Sequence, residues 1–230
     1  MDSTDPAVLQ ALFGQPPKEA IAHLKSKGVA ITFNWAEMLD EAHARAFTVA
    51  KAARLDVLQV IRSGVLDALE QGKTLRQFEK ELTPLLQAKG WWGKQMVSDG
   101  MGGEQLVQLG SPHRLRTIYQ TNLQSAYMAG RMNAQLAADA FPYLMYVAVM
   151  DGRTRPSHAA LNGKIWRKDD PVWSTIYPPN GFNCRCRTRS LTEGQMRREG
   201  LSLSPPPDAE TREINAGTDK ATGEQFRTLQ

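Results

Sequence analysis

Through most of the first 138 residues the apolar side chains recur every three or four positions, and after Pro142 that spacing gives way to a short run of strand formers. A chain ordered this way sets its helices apart from its sheet, the arrangement of an α+β fold. The expectation is a predominantly helical protein: an N-terminal helical region, then a long helix packed on a small β-sheet with long loops.

The helices follow from local signals. Gln15-Pro-Pro-Lys-Glu-Ala places prolines at a helix start, and Ile21, Leu24 and the stem of Lys25 open an apolar face that Gly28 ends. Asn34 can cap a second helix bearing Trp35, Met38, Leu39, Ala42, Ala46 and Val49. A third is predicted from about Arg54 to Gln71, with Leu55, Leu58, Ile61, Val65, Leu66 and Leu69 on one stripe and Gly72 as its stop. Thr74 caps a fourth, which Pro84 interrupts or bends by removing a donor. Gly90-Trp-Trp-Gly93 breaks the pattern, and the stretch from Lys94 to Gly110, with glycines at 100, 102 and 103, reads as a flexible connector. Trp91 and Trp92 either fasten it to the core or offer an aromatic contact to a partner. The longest helix is predicted from about Pro112 to Ala138. Leu115, Ile118, Asn122, Ala126, Ala129 and Met132 form one face, and Arg116, Gln120, Gln124, Tyr127 and Arg131 form a polar stripe that is either solvated or packed over the later loop.

Tyr143 to Met150 is rich in β-formers and reads as one buried strand stopping at Asp151-Gly152. Short strands are expected at Lys164–Trp166 and Cys184–Arg189, and a helical segment from Thr192 to Glu199. Beyond Leu203, prolines and polar residues suggest disorder or a tether. The domain expectation is a helical region over 1–110 with a Gly-rich connector near 90–110, a second domain over 111–199, and a polar tail over 200–230.

Composition narrows function more than fold. At 230 residues, 41% hydrophobic and 23% charged, the chain is an ordinary globular mixture. No apolar run approaches the roughly 18 residues that span a bilayer, and the acidic start without a basic n-region does not read as a signal peptide. The expected compartment is the cytosol of the producing cell. Net charge is +4 but unevenly spread: residues 111–190 hold 11 Lys/Arg against 4 Asp/Glu. Such a segment suits phosphate or an acidic protein surface.

The densest chemistry lies between Asp151 and Arg189. Asp151, at the end of a buried strand, can accept backbone N–H groups and hold the turn carrying Arg153 and Thr154. Cys184 and Cys186 are the sole cysteines, one residue apart, where a disulfide between them is strained. A metal pair or two reduced thiols remain. His158, Cys184 and Cys186 suit zinc, with Asp151 able to complete four ligands. C-x-C is a poor zinc spacing, although alternate strand residues share a face. The plainer alternative is two small buried side chains and a histidine satisfied by backbone carbonyls. Enzyme templates fail: His158 has no H-x-E partner and no P-C-x-x-C follows, and H-E-x-x-H, G-x-S-x-G and the phosphate-binding G-x-x-x-x-G-K-[ST] are absent. A Cys/His nucleophile pair would lack an orienting third group.

The run Asp151-Gly-Arg-Thr-Arg-Pro-Ser-His158, Leu161-Asn-Gly163 and Tyr177-Pro-Pro-Asn-Gly-Phe-Asn-Cys-Arg-Cys186 closely resembles the signature of phage Mu F-like minor head proteins, the head morphogenesis family. Arg116-Thr-Ile-Tyr-Gln-Thr-Asn122 and Ala126-Tyr-Met-Ala-Gly130 resemble the helix preceding it there. Pro16-Pro-Lys-Glu-Ala-Ile21, Phe47-Thr-Val-Ala50 and Gly90-Trp-Trp-Gly93 extend the likeness over roughly residues 15–195. The resemblance implies a virion component of the phage head, present in host cytoplasm during assembly. Its implied partners are the portal protein and other head or scaffold proteins, with DNA bound without sequence preference in some relatives. It implies neither a membrane nor a small-molecule substrate. Other members carry Cys where Arg155 and His158 stand and His where Gly181 stands, so a metal here has to recruit Asp151 or water.

Three functional readings follow. The leading one is a non-enzymatic minor head protein without a cofactor. In it Asp151, Arg153, Asn162, Gly163, Pro178, Pro179, Asn183, Cys184 and Cys186 build the loops, where an unpaired buried group costs roughly 1–3 kcal/mol. The second is DNA binding by Arg153, Arg155, Arg167, Lys168, Arg185, Arg187 and Arg189. In a strand the last three project to one side. The third is a metal-dependent hydrolase at Asp151, His158, Cys184 and Cys186.

Overall fold

The computed structural model describes residues 17–31, 46–52, 54–98, 104–181, 184–207, 213–218 and 225–229. They form an α+β fold in two compact units, one ending at Gly130 and the other beginning at Arg131.

In the first unit, α1 (Lys18–Ser26) follows Pro17 and buries Ala20 and Leu24. β1 (Gly28–Val29) then pairs in parallel with β2 (Ala46–Phe47). The helix expected through Val49 therefore does not reach its last apolar positions. Phe47-Thr-Val49 carries aromatic and β-branched side chains suited to extended chain, and its backbone is satisfied when Ala30 N–H donates to Phe47 O at 3.2 Å. Positions 34–45 of that expectation lie outside the described residues.

α2 (Leu55–Gln71) buries Val57, Leu58, Ile61, Val65, Ala68 and Leu69, and Gly72 closes it in the left-handed conformation with φ 64°. α3 (Leu75–Ala88) begins with a capping box between Thr74 and Gln77 and buries Phe78, Leu82 and Leu86. It runs on through Pro84. That residue is exposed, so the carbonyl it leaves without a donor can be hydrated, while the buried Leu82 and Leu86 hold the flanking turns.

The stretch expected as a connector is a hairpin: β3 (Lys94–Ser98) pairs antiparallel with β4 (Glu104–Gln108), Met96 facing Leu106. Gly93 N–H to Gly110 O and Leu109 N–H to Gly93 O close its base at 2.9 and 2.8 Å. The glycines at 100, 102 and 103 lie outside the described residues. Trp91 is a fastener: it is buried, and its indole N–H donates to Lys51 O at 3.0 Å. The Arg114 guanidinium lies 4.8 Å over its ring. Arg114 also donates to the Gln108 and Leu109 carbonyls. Burial draws its pKa down to about 10, which leaves it a cation at neutral pH.

α4 (Pro112–Ala137) begins in the first unit and ends in the second. Leu115, Ile118, Asn122 and Ala126 are buried in the first.

The second unit is built on β5 (Tyr143–Val147), the centre of an antiparallel sheet between β6 (Ile165–Arg167) and β7 (Arg187–Leu191). Alternation divides its side chains. Leu144 and Tyr146 join Trp166, Trp173, Ile176, Leu161, Cys184 and Cys186 in one cluster. Tyr143 and Met145 pack with Ile165, Leu191 and Met196 in another. Short helices α5 (Pro156–Leu161) and α6 (Trp173–Ile176) sit within the motif loops, and α7 (Glu193–Arg198) follows with a Thr192–Gln195 capping box. The start of the expected tail is docked: Ser204 N–H donates to Ile165 O at 2.8 Å, and Trp166 Nε1–H donates to Pro205 O at 3.1 Å. Further on, β8 (Glu213–Thr218) and β9 (Gln225–Leu229) pair antiparallel. Among the described residues no helix is long and apolar enough to cross a membrane.

Candidate functional site

The sheet of the second unit organises the motif loops. Where β5 ends, Asp151 turns the chain. Its Oδ1 accepts from Arg153 N–H at 3.0 Å and from the Thr154 hydroxyl at 3.3 Å, and Thr154 also donates to the Val149 carbonyl. Arg185 closes a two-pronged bond on the same carboxylate at 2.6 and 2.7 Å. Arg185, and after it the Arg153 N–H, hold the Asp151 carboxyl well below the usual carboxylate range.

The Leu161-Asn-Gly-Lys turn is sewn back onto β5. Asn162 Oδ1 accepts from Ala148 N–H at 2.9 Å. Gly163 N–H donates to Tyr146 O at 2.8 Å, and Tyr146 N–H donates to Lys164 O at 2.8 Å. Gly163 takes φ 79°, a left-handed conformation open to glycine at little cost. In the later loop Pro178 is buried and the Pro178–Pro179 bond is cis. Arg155 reaches the Asn180 carbonyl at 3.4 Å. Asn183 lies outside the described residues.

Beneath these loops three chemically matched side chains meet. His158, on α5, is 3% exposed, and Cys184 and Cys186, just before β7, are 6% and 3% exposed. The Nδ1 of His158 lies 3.7 Å from Cys184 Sγ and 3.5 Å from Cys186 Sγ, and one ligand atom from each lies within 4.8 Å of the others. The cysteines precede the strand expected to carry them, yet both still turn inward while Arg185 between them is exposed. The thiols differ in acidity. Cys186 is drawn down because Cys184, then His158 and Tyr146, stabilise its thiolate against burial. Cys184 is pushed up by that bond to Cys186 and by burial. Asp151 does not join the cluster; its carboxylate is spent on Arg185.

Of the seven cations proposed from sequence, most have work within the protein. Arg185 pairs with Asp151, Arg189 with Glu199 at 2.8 Å and Arg167 with Asp169 at 3.1 Å. Lys168 Nζ donates to the Leu136 and Ala138 carbonyls at 2.7 and 3.1 Å. Arg153 and Arg187 are exposed. Arg187 and Arg189 project on one side of β7, whose alternate residue Thr188 is fully buried.

Sequence reasoning missed two parts of this unit. Tyr146, fully buried, places its hydroxyl beside both sulfurs without a well-formed hydrogen bond. Burial, and next the Cys186 contact, push its ionisation up. The other part is a buried polar knot. Gln135 Oε1 accepts from Thr188 and Tyr177 hydroxyls at 2.8 and 2.9 Å, and its amide donates to Ser190 Oγ at 2.9 Å. Gln135 continues the polar stripe of Tyr127 and Arg131 by one more four-residue step, so the signal for it was present in the sequence.

Residues 59–189 match the family described as Phage Mu protein F like protein. The chain belongs to that family. It is 53% identical over 215 residues to protein F of Escherichia phage Mu, named for capsid assembly, covering 93% of this chain and 49% of that protein. It is 50% identical over 200 residues to the Mu-like prophage FluMu F protein of Haemophilus influenzae, covering 86% of this chain and 47% of that protein. The chain thus spans about half the length of these curated relatives. No solved structure gives a significant match.

Proposed function

We propose that this protein is a non-enzymatic component of a Mu-like phage or prophage head, acting in capsid assembly near the portal through contacts with other head proteins. The observation that carries this reading is the family match across both structural units, joined to the capsid-assembly name of the phage Mu relative. The site chemistry supports it. Asp151, Asn162 and Gly163 spend their polar groups on loop backbone, and the thiols and imidazole are sealed from substrate. A loop scaffold built this way presents a fixed surface rather than a reacting centre.

DNA contact enters this reading as a weak, salt-sensitive contribution. Arg153 and Arg187 are exposed, whereas Arg167, Arg185 and Arg189 are ion-paired. Gel shifts at about 50 mM salt, where phosphate binding is strongest, are expected to show at most weak retardation. Deleting the gene from the encoding phage tests the assembly role. Lysis with loss of complete heads, restored by the gene in trans, is the expected result; undiminished yields of infectious particles refute it.

A further inference from the structure

We propose that His158, Cys184 and Cys186 form a structural zinc site that fastens the two motif loops beneath the sheet. Distance comes first. Zinc bonds of about 2.3 Å to sulfur and 2.0–2.1 Å to nitrogen, at the tetrahedral angle, set the S···N edge near 3.6 Å. The two edges here are 3.7 and 3.5 Å and share one nitrogen, Nδ1. A pair of hydrogen bonds explains this poorly, because Nδ1 carries either one lone pair or one proton and so directs one well-formed hydrogen bond at a time. One metal ion in contact with all three atoms accounts for both edges.

Charge points the same way. The cluster sits among Leu144, Ala148, Trp166, Trp173 and Ile176, where an uncompensated ion is costly. Zinc(II) takes both cysteines as thiolates, any thiol proton still held leaving to solvent, and two thiolates with a neutral imidazole leave the complex with no net charge. The ligand set is soft enough to exclude magnesium and calcium, which take oxygen. The other imidazole nitrogen, Nε2, is buried without a protein partner, so no protein donor bonds to it and forces the proton onto Nδ1, which can present its lone pair. The fourth position goes to an oxygen, either the Tyr146 hydroxyl buried beside the sulfurs or a water.

Topology gives the site its purpose. His158 lies on α5 within the connection that leaves β5, and Cys184 and Cys186 end the loop that enters β7, 26 and 28 positions further along the chain. One ion closes both loops at once, the constraint that structural zinc supplies where local secondary structure is short.

The test uses the full chain, purified without an affinity tag in a non-chelating reductant. Elemental analysis is expected to return one zinc per chain, and a chelator to lower the melting temperature of the wild-type protein. Cobalt(II) in place of zinc is expected to show tetrahedral ligand-field bands together with thiolate-to-metal charge transfer. Cys186→Ser should lose the charge-transfer intensity and metal stoichiometry. If Tyr146→Phe keeps the tetrahedral bands the fourth ligand is water; if it loses them while remaining folded, the ligand is the hydroxyl, and the site stands in both cases. A cooperatively folded wild-type chain that binds neither zinc nor cobalt, with a melt indifferent to chelator, overturns the proposal whatever the variants do.

Discussion

At the scale of single residues the motif works by satisfying backbone. Asp151 gathers two donors of its own turn and the Arg185 guanidinium. Because its native pKa is depressed, the pair stabilises the fold above the unfolded carboxyl value of about 3.9 and loses that contribution as pH falls through the native value. Asp151→Asn is therefore expected to lower the melting temperature at pH 7 and to make little difference in strong acid, with melts across pH as the measurement. Asn162→Ala removes the acceptor for Ala148 N–H and should cost about 1 kcal/mol by chemical denaturation, without changing the cooperativity of unfolding. The residue types here were legible in the sequence, since an Asp and an Asn-Gly at loop ends announce turns. The ligand types of His158, Cys184 and Cys186 were legible too, but not the geometry of their meeting nor the absence of Asp151 from it. That meeting depends on β5, β6 and β7 bringing separated loops together, and no spacing rule reports that.

At the scale of elements, close packing and short-range capping decide the outcome. A Cβ on Gly130 would stand 2.9 Å from Glu19 Cβ and 3.0 Å from Ala20 N. The backbone nitrogen cannot rotate aside as a side chain can. Alanine improves helix propensity by about 1 kcal/mol, but overpacking costs typically 1–3 kcal/mol. Gly130→Ala is expected to be net destabilising by about 1–2 kcal/mol in denaturant titration, and unchanged or raised stability would show that α1 yields. The small residues of α4, α2's apolar stripe and the Thr74 cap were readable because helix signals are local. The β3–β4 hairpin was hidden by its glycines: five-residue strands leave a short periodic trace, and 100, 102 and 103 dominate the reading. Ala46 and Val49 fitted a helical spacing, but the pairing of Ala46–Phe47 with distant Gly28–Val29 prevailed. β7 begins at Arg187 rather than Cys184 because ladder pairing with β5 starts only at Val147.

At the scale of the whole molecule, the long α4 begins in one unit and ends in another, and the family match spans both. The fold class was available from the change of spacing at Pro142, and the family from the motif between Asp151 and Cys186. The central claim is that this chain is built into phage heads. Quantitative mass spectrometry of gradient-purified heads tests it most directly. Peptides from residues 59–189 at a constant ratio to the major capsid protein, retained through a high-salt wash, are the predicted result. Peptides present in the lysate but absent from purified heads would contradict it.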